Sequence, residues 1–295
     1  MTPFSSAHIT GHDWRDLCDR ALAAISDAAD RQLAFVYLAD DLAGDSDRIV
    51  DYLRDHSGIP HWVGCVGMGL CSNAYETYAE PAISILATPF GADDFRIIPT
   101  LDGDMEAWLD ATRDWRERRL ATVAVVHGDP GSTQLPELLT GLSEGLLGGF
   151  LVGGIASAEK LATQIADCAV SGGLSGVLFS GSIAISTGLT QGCSLIGHKH
   201  RVTRCQRNII ETIDDRPALE VFKEDIGEVL ARDLRRVGGY IHGAVPVSGS
   251  DTGDYLVRNL AAIDQANGMV TVAAELSVGD QLMFVRRDAA SAVED

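Results

Sequence analysis

His198 and His200 stand two apart in the segment IGHKHRVT. On a strand that spacing puts both rings on one face, where neutral imidazole could ligate a metal ion or a haem iron. The alternative is a surface pair beside Lys199 and Arg201. With no CxxC or HExxH nearby, a tetrahedral zinc site is not supported. His127 ends an apolar run and His61 begins another, and strand ends beside loops are where α/β sheets place ligands. Arg201, Arg204 and Arg207 are spaced so that they could clamp a carboxylate, or pair with surface acids instead. Cys65 and Cys71 could form a redox pair or give haem a thiolate, although Cys65 also reads as a small core residue. A hydrolase or redox enzyme built on His127 or Cys65 is the reading from a different class. Ser72, Ser157 and Ser180 lack a nucleophile elbow. Asp40, Asp41, Asp45 and Asp47 crowd one loop without the spacing or closing glutamate of an EF-hand, so a solvated loop with a helix cap accounts for them better.

Two glycine-bearing turns stand out, VGCVGMGL at 63–70 and VGGIAS at 152–157. Gly64, Cys65, Gly67 and Gly69 of the first, with Gly153, Gly154 and Ser157 of the second, could line a cleft. Their backbone N–H groups would face an anionic group of a ligand. Tight strand–helix packing is the competing explanation. Neither turn fits a dinucleotide or P-loop pattern. Aligning Val63-Gly64 with Val152-Gly153 gives an offset of 89, and the same offset carries Phe35 onto Ala124. Two copies of one strand–loop–helix–strand unit, at about 30–100 and 120–190, are therefore expected. Two copies are too few for a solenoid.

Around these residues the pattern predicts an amphipathic helix over 14–29, strands at 33–39 and 61–67, and a helix over 47–56. Strands at 81–89 and 93–99 are expected to pair with each other. A helix over 104–120 follows. The second copy gives a strand at 121–127, a helix at 134–146 and a strand at 150–155. Glycines then punctuate short strands at 175–179 and 182–187. Residues 189–201 read as loop, 202–207 and 208–213 as paired strands, and 218–234 as a helix opened by Pro217. Strands are expected at 255–260, 269–274 and 281–286. The end, DAASAVED, reads as the first turns of a helix, as if the natural chain continued. The fold class is α/β or α+β: a duplicated unit with mixed sheets, then a smaller segment. The expected divisions are 1–29, 30–216 and 217–295.

The 295 residues are 46% hydrophobic and 22% charged, which is the composition of a globular protein with a core. A net charge of −19 repels phosphate backbones and anionic lipid, so neither nucleic acid nor membrane is an expected partner. No apolar run reaches the ~20 residues that span a bilayer, and the N-terminus lacks the basic start of a signal peptide. Six dispersed cysteines, with no CxxC pairing, fit free thiols in a cytoplasmic protein.

The order of these motifs resembles the FIST domain, a sensory module of bacterial signalling proteins also found in eukaryotic F-box proteins. VGCVGMG, PAISILATP, VGGIAS and SGVLFSGSIAIST resemble its N-terminal part. LIGHKHRVTRCQRNIIETIDDRPALEVF resembles its junction, and YLVRNLAAIDQANGMVTVAAELSVGDQLMFVRRD its C-terminal part. The resemblance covers roughly residues 30–290. It implies binding of a small ligand, with amino acids proposed for many members, and no catalysis. Some members bind haem and sense nitric oxide, which would assign His198, His200 or His127 to iron. It also implies a signalling partner such as a histidine kinase or a cyclic-dinucleotide enzyme. Family members normally continue through a further strand–helix–strand unit bearing a cysteine and an Arg-Gly pair, which this sequence lacks. No kinase, methyl-acceptor or F-box segment accompanies the domain here.

Overall fold

The computed structural model describes residues 4–25, 31–72, 75–103, 105–146, 149–159, 161–188, 191–247 and 255–294. The chain divides into two compact units, Met1–Ile185 and Ser186–Asp295, the division falling ahead of the boundary expected at 216. The first unit runs β1 (Ser5–Thr10), α1 (Trp14–Ala24), β2 (Leu33–Ala39), α2 (Ser46–Ser57), β3 (His61–Gly67), β4 (Gly69–Ser72), β5 (Tyr75–Tyr78) and β6 (Ala82–Ala87). It continues with β7 (Phe95–Leu101), α3 (Met105–Arg119), β8 (Val123–Gly128), α4 (Leu135–Gly145), β9 (Phe150–Ile155), β10 (Gln164–Ala166), β11 (Ala169–Val170) and β12 (Leu174–Phe179).

Two mixed sheets form, in the orders β1-β6-β2-β3-β10-β11 and β7-β12-β8-β9. Each contains the same motif: a parallel pair joined through a helix, with an antiparallel strand on the inner side of its first member. In the first sheet these are β2, β3 and β6; in the second they are β8, β9 and β12. One face of the first sheet packs on α1 and α2 through Val36, Leu38, Trp62, Val66, Leu17 and Ile49. One face of the second packs on α3 and α4 through Ala124, Val126, Leu138 and Leu142. The remaining faces meet through Leu33, Phe35, Val63, Phe95, Val177 and Phe179. The unit is thus four layers deep: helices, sheet, sheet, helices.

Local chemistry fixes the helix ends. Asp13 caps α1 by accepting the N–H groups of Arg15 at 2.9 Å and Asp16 at 3.1 Å. Gly58, with φ of 72°, ends α2 in the left-handed conformation. Helix α1 stops at Ala24, and the remainder expected over 26–29 lies outside the described residues.

The second unit contains β13 (Cys193–Gln206), β14 (Ile209–Ile213), β15 (Arg216–Pro217), α5 (Ala218–Ala231), β16 (Ile241–Pro246), β17 (Tyr255–Asp264), β18 (Met269–Val272), β19 (Gln281–Arg287) and α6 (Ala289–Glu294). Its strands follow the order β13-β19-β16-β17-β18-β14, and a further β13–β14 pairing closes them into a small barrel. Helix α5 packs Leu219, Val221, Phe222 and Ile226 against barrel residues including Val202, Ile213 and Phe284.

Four expectations are corrected. β6 and β7 do not pair; they join different sheets, because each is claimed by the first strand of its own copy or by β12. Residues 182–187 form no strand. Most of the stretch 189–201, read as loop from its glycines, belongs to β13, where Gly197 makes an irregularity within the strand. Helix α5 ends at Ala231 and is broken at Gly227, whose φ of 78° is not helical.

The repeat keeps the pairing of its two parallel strands but not their spacing. Gly64 pairs with Val36, and Gly153 with Val126. The second strands are therefore 89 apart and the first strands 90 apart, so Phe35 corresponds to Val125 rather than Ala124. A Cβ at Gly64 would lie 1.7 Å from the Val36 carbonyl oxygen, and one at Gly153 would lie 1.8 Å from that of Val126. These two glycines are required by close approach of paired backbones. Replacing Gly64 by alanine should destabilise the protein by more than about 2 kcal/mol, whereas Gly44→Ala, with open space at its Cβ, should cost far less. Urea unfolding of the two variants measures the difference.

Candidate functional site

The shift of one residue in the first strand brings Tyr37 and His127 to equivalent positions, and these two side chains touch. The Tyr37 hydroxyl and His127 Nε2 are 3.2 Å apart, with ring centroids at 5.6 Å. They join the two sheets near the carboxyl ends of β2 and β8. On either side of Tyr37 stand Cys65 and Ser84; on either side of His127 stand Gly154 and Ser175. Ser175 donates to Gln164 Oε1 at 2.7 Å, and Gln164 donates from Nε2 to the Gly172 carbonyl at 2.8 Å. A polar belt therefore crosses an otherwise apolar layer.

His127 is 4% exposed and its Nδ1 has no partner among the described residues. Burial lowers its pKa to about 4, so the ring is neutral at pH 7. Burial, with the nearby Cys65 as a smaller cause, raises Tyr37. Burial also pushes the Cys65 thiol up to about 11, which keeps it protonated and a poor nucleophile or metal ligand. Where a side chain at Gly154 would project there is nothing within 4 Å, so the belt opens beside His127.

The two glycine turns meet at one point. The Met68 N–H donates to Ser157 Oγ at 3.3 Å, and a Cβ at Gly67 would lie 3.3 Å from the same oxygen. Met68 and Ser157 are themselves 89 apart. Gly69 instead packs against the Tyr78 ring. Of the residues singled out in the sequence, Cys65, Gly67, Gly154, Ser157 and His127 belong to this region of the first unit. Gly64 and Gly153 lie in its strand packing. Tyr37, Ser175 and Gln164 were not singled out; the signal for Tyr37 was its equivalence to His127 once the first strands are aligned at 90.

Most of the other candidates have local partners. His61 Nδ1 is 2.8 Å from Asp167 Oδ2, and Asp167 also accepts the Trp62 N–H at 3.0 Å. Ser180 bonds Ser182 at 2.9 Å. Cys71 is exposed on β4 and unpaired with Cys65. In the second unit, Arg204 is ion-paired with Glu211 and Arg207 with Glu275 at 2.8 Å. Arg201 is exposed on β13, and its N–H donates to Asp214 Oδ1 at 2.9 Å.

His198 and His200 do not share a face. The strand pairing of β13 with β19 shifts register between Ile196 and His200, and Gly197 there has φ of 72°, so His198 is exposed while His200 is buried. His200 Nδ1 is 2.7 Å from Asp214 Oδ2, and its Nε2 is 2.8 Å from Asp225 Oδ2. Ionised carboxylates only accept, so this arrangement favours the doubly protonated ring, in which neither nitrogen can bind iron. His200 thus does not fit a haem iron in this arrangement. His127 keeps one nitrogen without a partner among the described residues.

The class of protein follows from comparison of this two-unit chain with known families. Residues 32–216 match the FIST N domain and residues 218–295 the FIST C domain. The chain belongs to the FIST family, whose domains are sensory domains of signal transduction. An uncharacterized protein of Mycobacterium tuberculosis is 28% identical over 245 residues, which is 79% of this chain and 62% of that protein. An uncharacterized protein of Mycobacterium bovis is 26% identical over 250 residues, 80% of this chain and again 62% of that protein. The chain thus spans about three-fifths of the length of these relatives. No helix among the described residues is long and apolar enough to cross a membrane.

His200 holds three elements together, since it, Asp214 and Asp225 come from β13, the β14–β15 turn and α5. Gly197 is needed because a Cβ there would strike the Asp225 carboxylate. Burial opposes charge on His200, but the hydrogen bonds to Asp214 and Asp225 outweigh it and raise its pKa above the ordinary value. A raised folded-state pKa supplies stability that is full below about pH 6.5 and lost as pH rises through the folded value. Asp225→Asn should therefore cost on the order of 3 kcal/mol at pH 6 and progressively less at alkaline pH. Urea unfolding at pH 6 and pH 9 is the measurement, and an equal penalty at both would show that His200 is not charged.

Proposed function

We propose that the first unit binds a small metabolite, an amino acid or a molecule of similar size, where the two sheets meet beside Tyr37, Cys65, Gly67, His127, Gly154 and Ser157. The observation that carries this reading is the buried, neutral His127, with one nitrogen unpartnered among the described residues and, beside it in the sheet, Gly154, where a side chain would meet nothing within 4 Å. Buried polar atoms are nearly always hydrogen-bonded, and an exception calls for a ligand, water or strain. The position agrees with the tendency of α/β sheets to bind ligands at strand carboxyl ends. A ligand reaching His127 would alter the Tyr37–His127 contact, which links the two copies. Occupancy would thereby favour one setting of the sheets over another, the thermodynamic requirement for a signal. The receiver would be a signalling protein, such as a histidine kinase or a cyclic-dinucleotide enzyme, and the setting cytoplasmic. The reading assigns the chain no turnover.

Two measurements test it. Small molecules released from the natively purified protein are identified by mass spectrometry beside a visible spectrum, and the common amino acids are screened for a rise in Tm. A ligand at one hundred times its Kd should stabilise the fold by about 2.7 kcal/mol, and His127→Gln should abolish that gain while leaving the circular dichroism unchanged. A Soret band as isolated would replace the metabolite by haem, and no released molecule together with no stabilisation would remove the proposal. Because the folded pKa of His127 is depressed to about 4, the stability it contributes is full above about pH 6.5 and lost as pH falls toward and below 4. His127→Gln should flatten that acid limb.

A further inference from the structure

One member of the first copy has no counterpart in the second. β10 pairs antiparallel with the outer edge of β3, matching Ile165 to Gly64. β9, the counterpart of β3, is the last strand of its sheet, and no strand among the described residues pairs with its outer edge. In the first copy Ile165 lies fully buried with Trp62 and Val66 in the core beneath the helices. The counterparts of Trp62, Gly64 and Val66 are Leu151, Gly153 and Ile155. These three line a cavity of about 240 Å³, together with Leu135 and Leu139 on the side of α4. Val66 is fully buried, yet Ile155 is 59% exposed. The cavity therefore lies where the counterpart of Ile165 would place its side chain.

We infer that the outer edge of β9 is a docking edge for an extended segment of another protein, which adds as an antiparallel strand and inserts a branched aliphatic side chain into this cavity. Strand addition draws affinity from main-chain hydrogen bonds and specificity from alternate side-chain pockets. Natural edge strands are blunted by charge, proline or a bulge, and Phe150–Ile155 has neither charge nor proline. The surroundings fix the charge of the occupant. From Gly131 to Lys160 the chain carries three acidic residues, Glu137, Glu144 and Glu159, against one basic residue, Lys160, so the incoming segment has basic flanks. A second copy of this chain is disfavoured, because pairing β9 with itself would set two acidic α4 regions and two charges of −19 together.

The probe is a capped peptide carrying Thr-Gln-Ile-Ala, copied from residues 163–166, between lysine pairs, titrated into the whole chain. Saturable binding is expected, with amide shifts in two-dimensional NMR confined to β9, α4 and the loops joining them. Replacing the peptide isoleucine by aspartate should abolish it, and added salt should weaken it. Ile155→Lys in the chain should weaken binding roughly tenfold or more, with unchanged circular dichroism. Shifts elsewhere, binding indifferent to Ile155→Lys, or no saturable binding would overturn the inference. So would a concentration-dependent dimer that Ile155→Lys abolishes, which would give the edge to a second copy.

Discussion

The first unit stands on one apolar layer, in which Leu33, Phe35 and Val63 of one sheet face Phe95, Val177 and Phe179 of the other. Burying such a side chain contributes about 2 kcal/mol, and the layer exists only because each sheet has a second face covered by helices. That requirement explains why β2, β3 and β12 read as near-continuous apolar runs rather than alternating ones. It also gives meaning to the few polar groups inside. A phenol, an imidazole, an amide and a hydroxyl are costly in such a layer unless paired. All but one nitrogen of His127 are paired there through the contacts of Tyr37 with His127 and Ser175 with Gln164.

The duplication was legible because glycine is demanded at the same place twice. Two carbonyl oxygens that leave no room for a Cβ preserve Gly64 and Gly153 whatever their neighbours become. The strands that immediately flank them were readable for the same reason, and β2, β3 and β9 begin and end where the apolar runs do. What the sequence hid depends on partners far along the chain. β6 and β7 look like a hairpin, yet each finds its partner in a separate sheet. The short strands β10 and β11 carry too few residues for a pattern, and β13 conceals itself behind glycines at 192 and 197.

The candidate site was legible in part. His127 and the two turns were visible as residues at strand ends. Tyr37 was hidden by a one-residue difference in spacing between copies, which only hydrogen-bond register reveals. The histidine pair misled because alternation assumes an unbroken strand, and Gly197 breaks it. The arginines at 204 and 207 answer nearby glutamates; Glu211 and Glu275 meet them only through strand pairing and a turn, which no spacing rule shows.

Tyr37 and His127 hold equivalent places in the two copies and touch each other, and the same is true of Met68 and Ser157. Contact between like positions is the mark of an isologous interface, in which a surface meets itself across a two-fold axis. An ancestor comprising one copy would have had to form this contact from two identical residues. Joining the copies in one polypeptide released that restriction, so a phenol could come to oppose an imidazole. Two copies within one chain can therefore set unlike residues at equivalent positions, an asymmetry closed to a symmetric pair of separate identical chains.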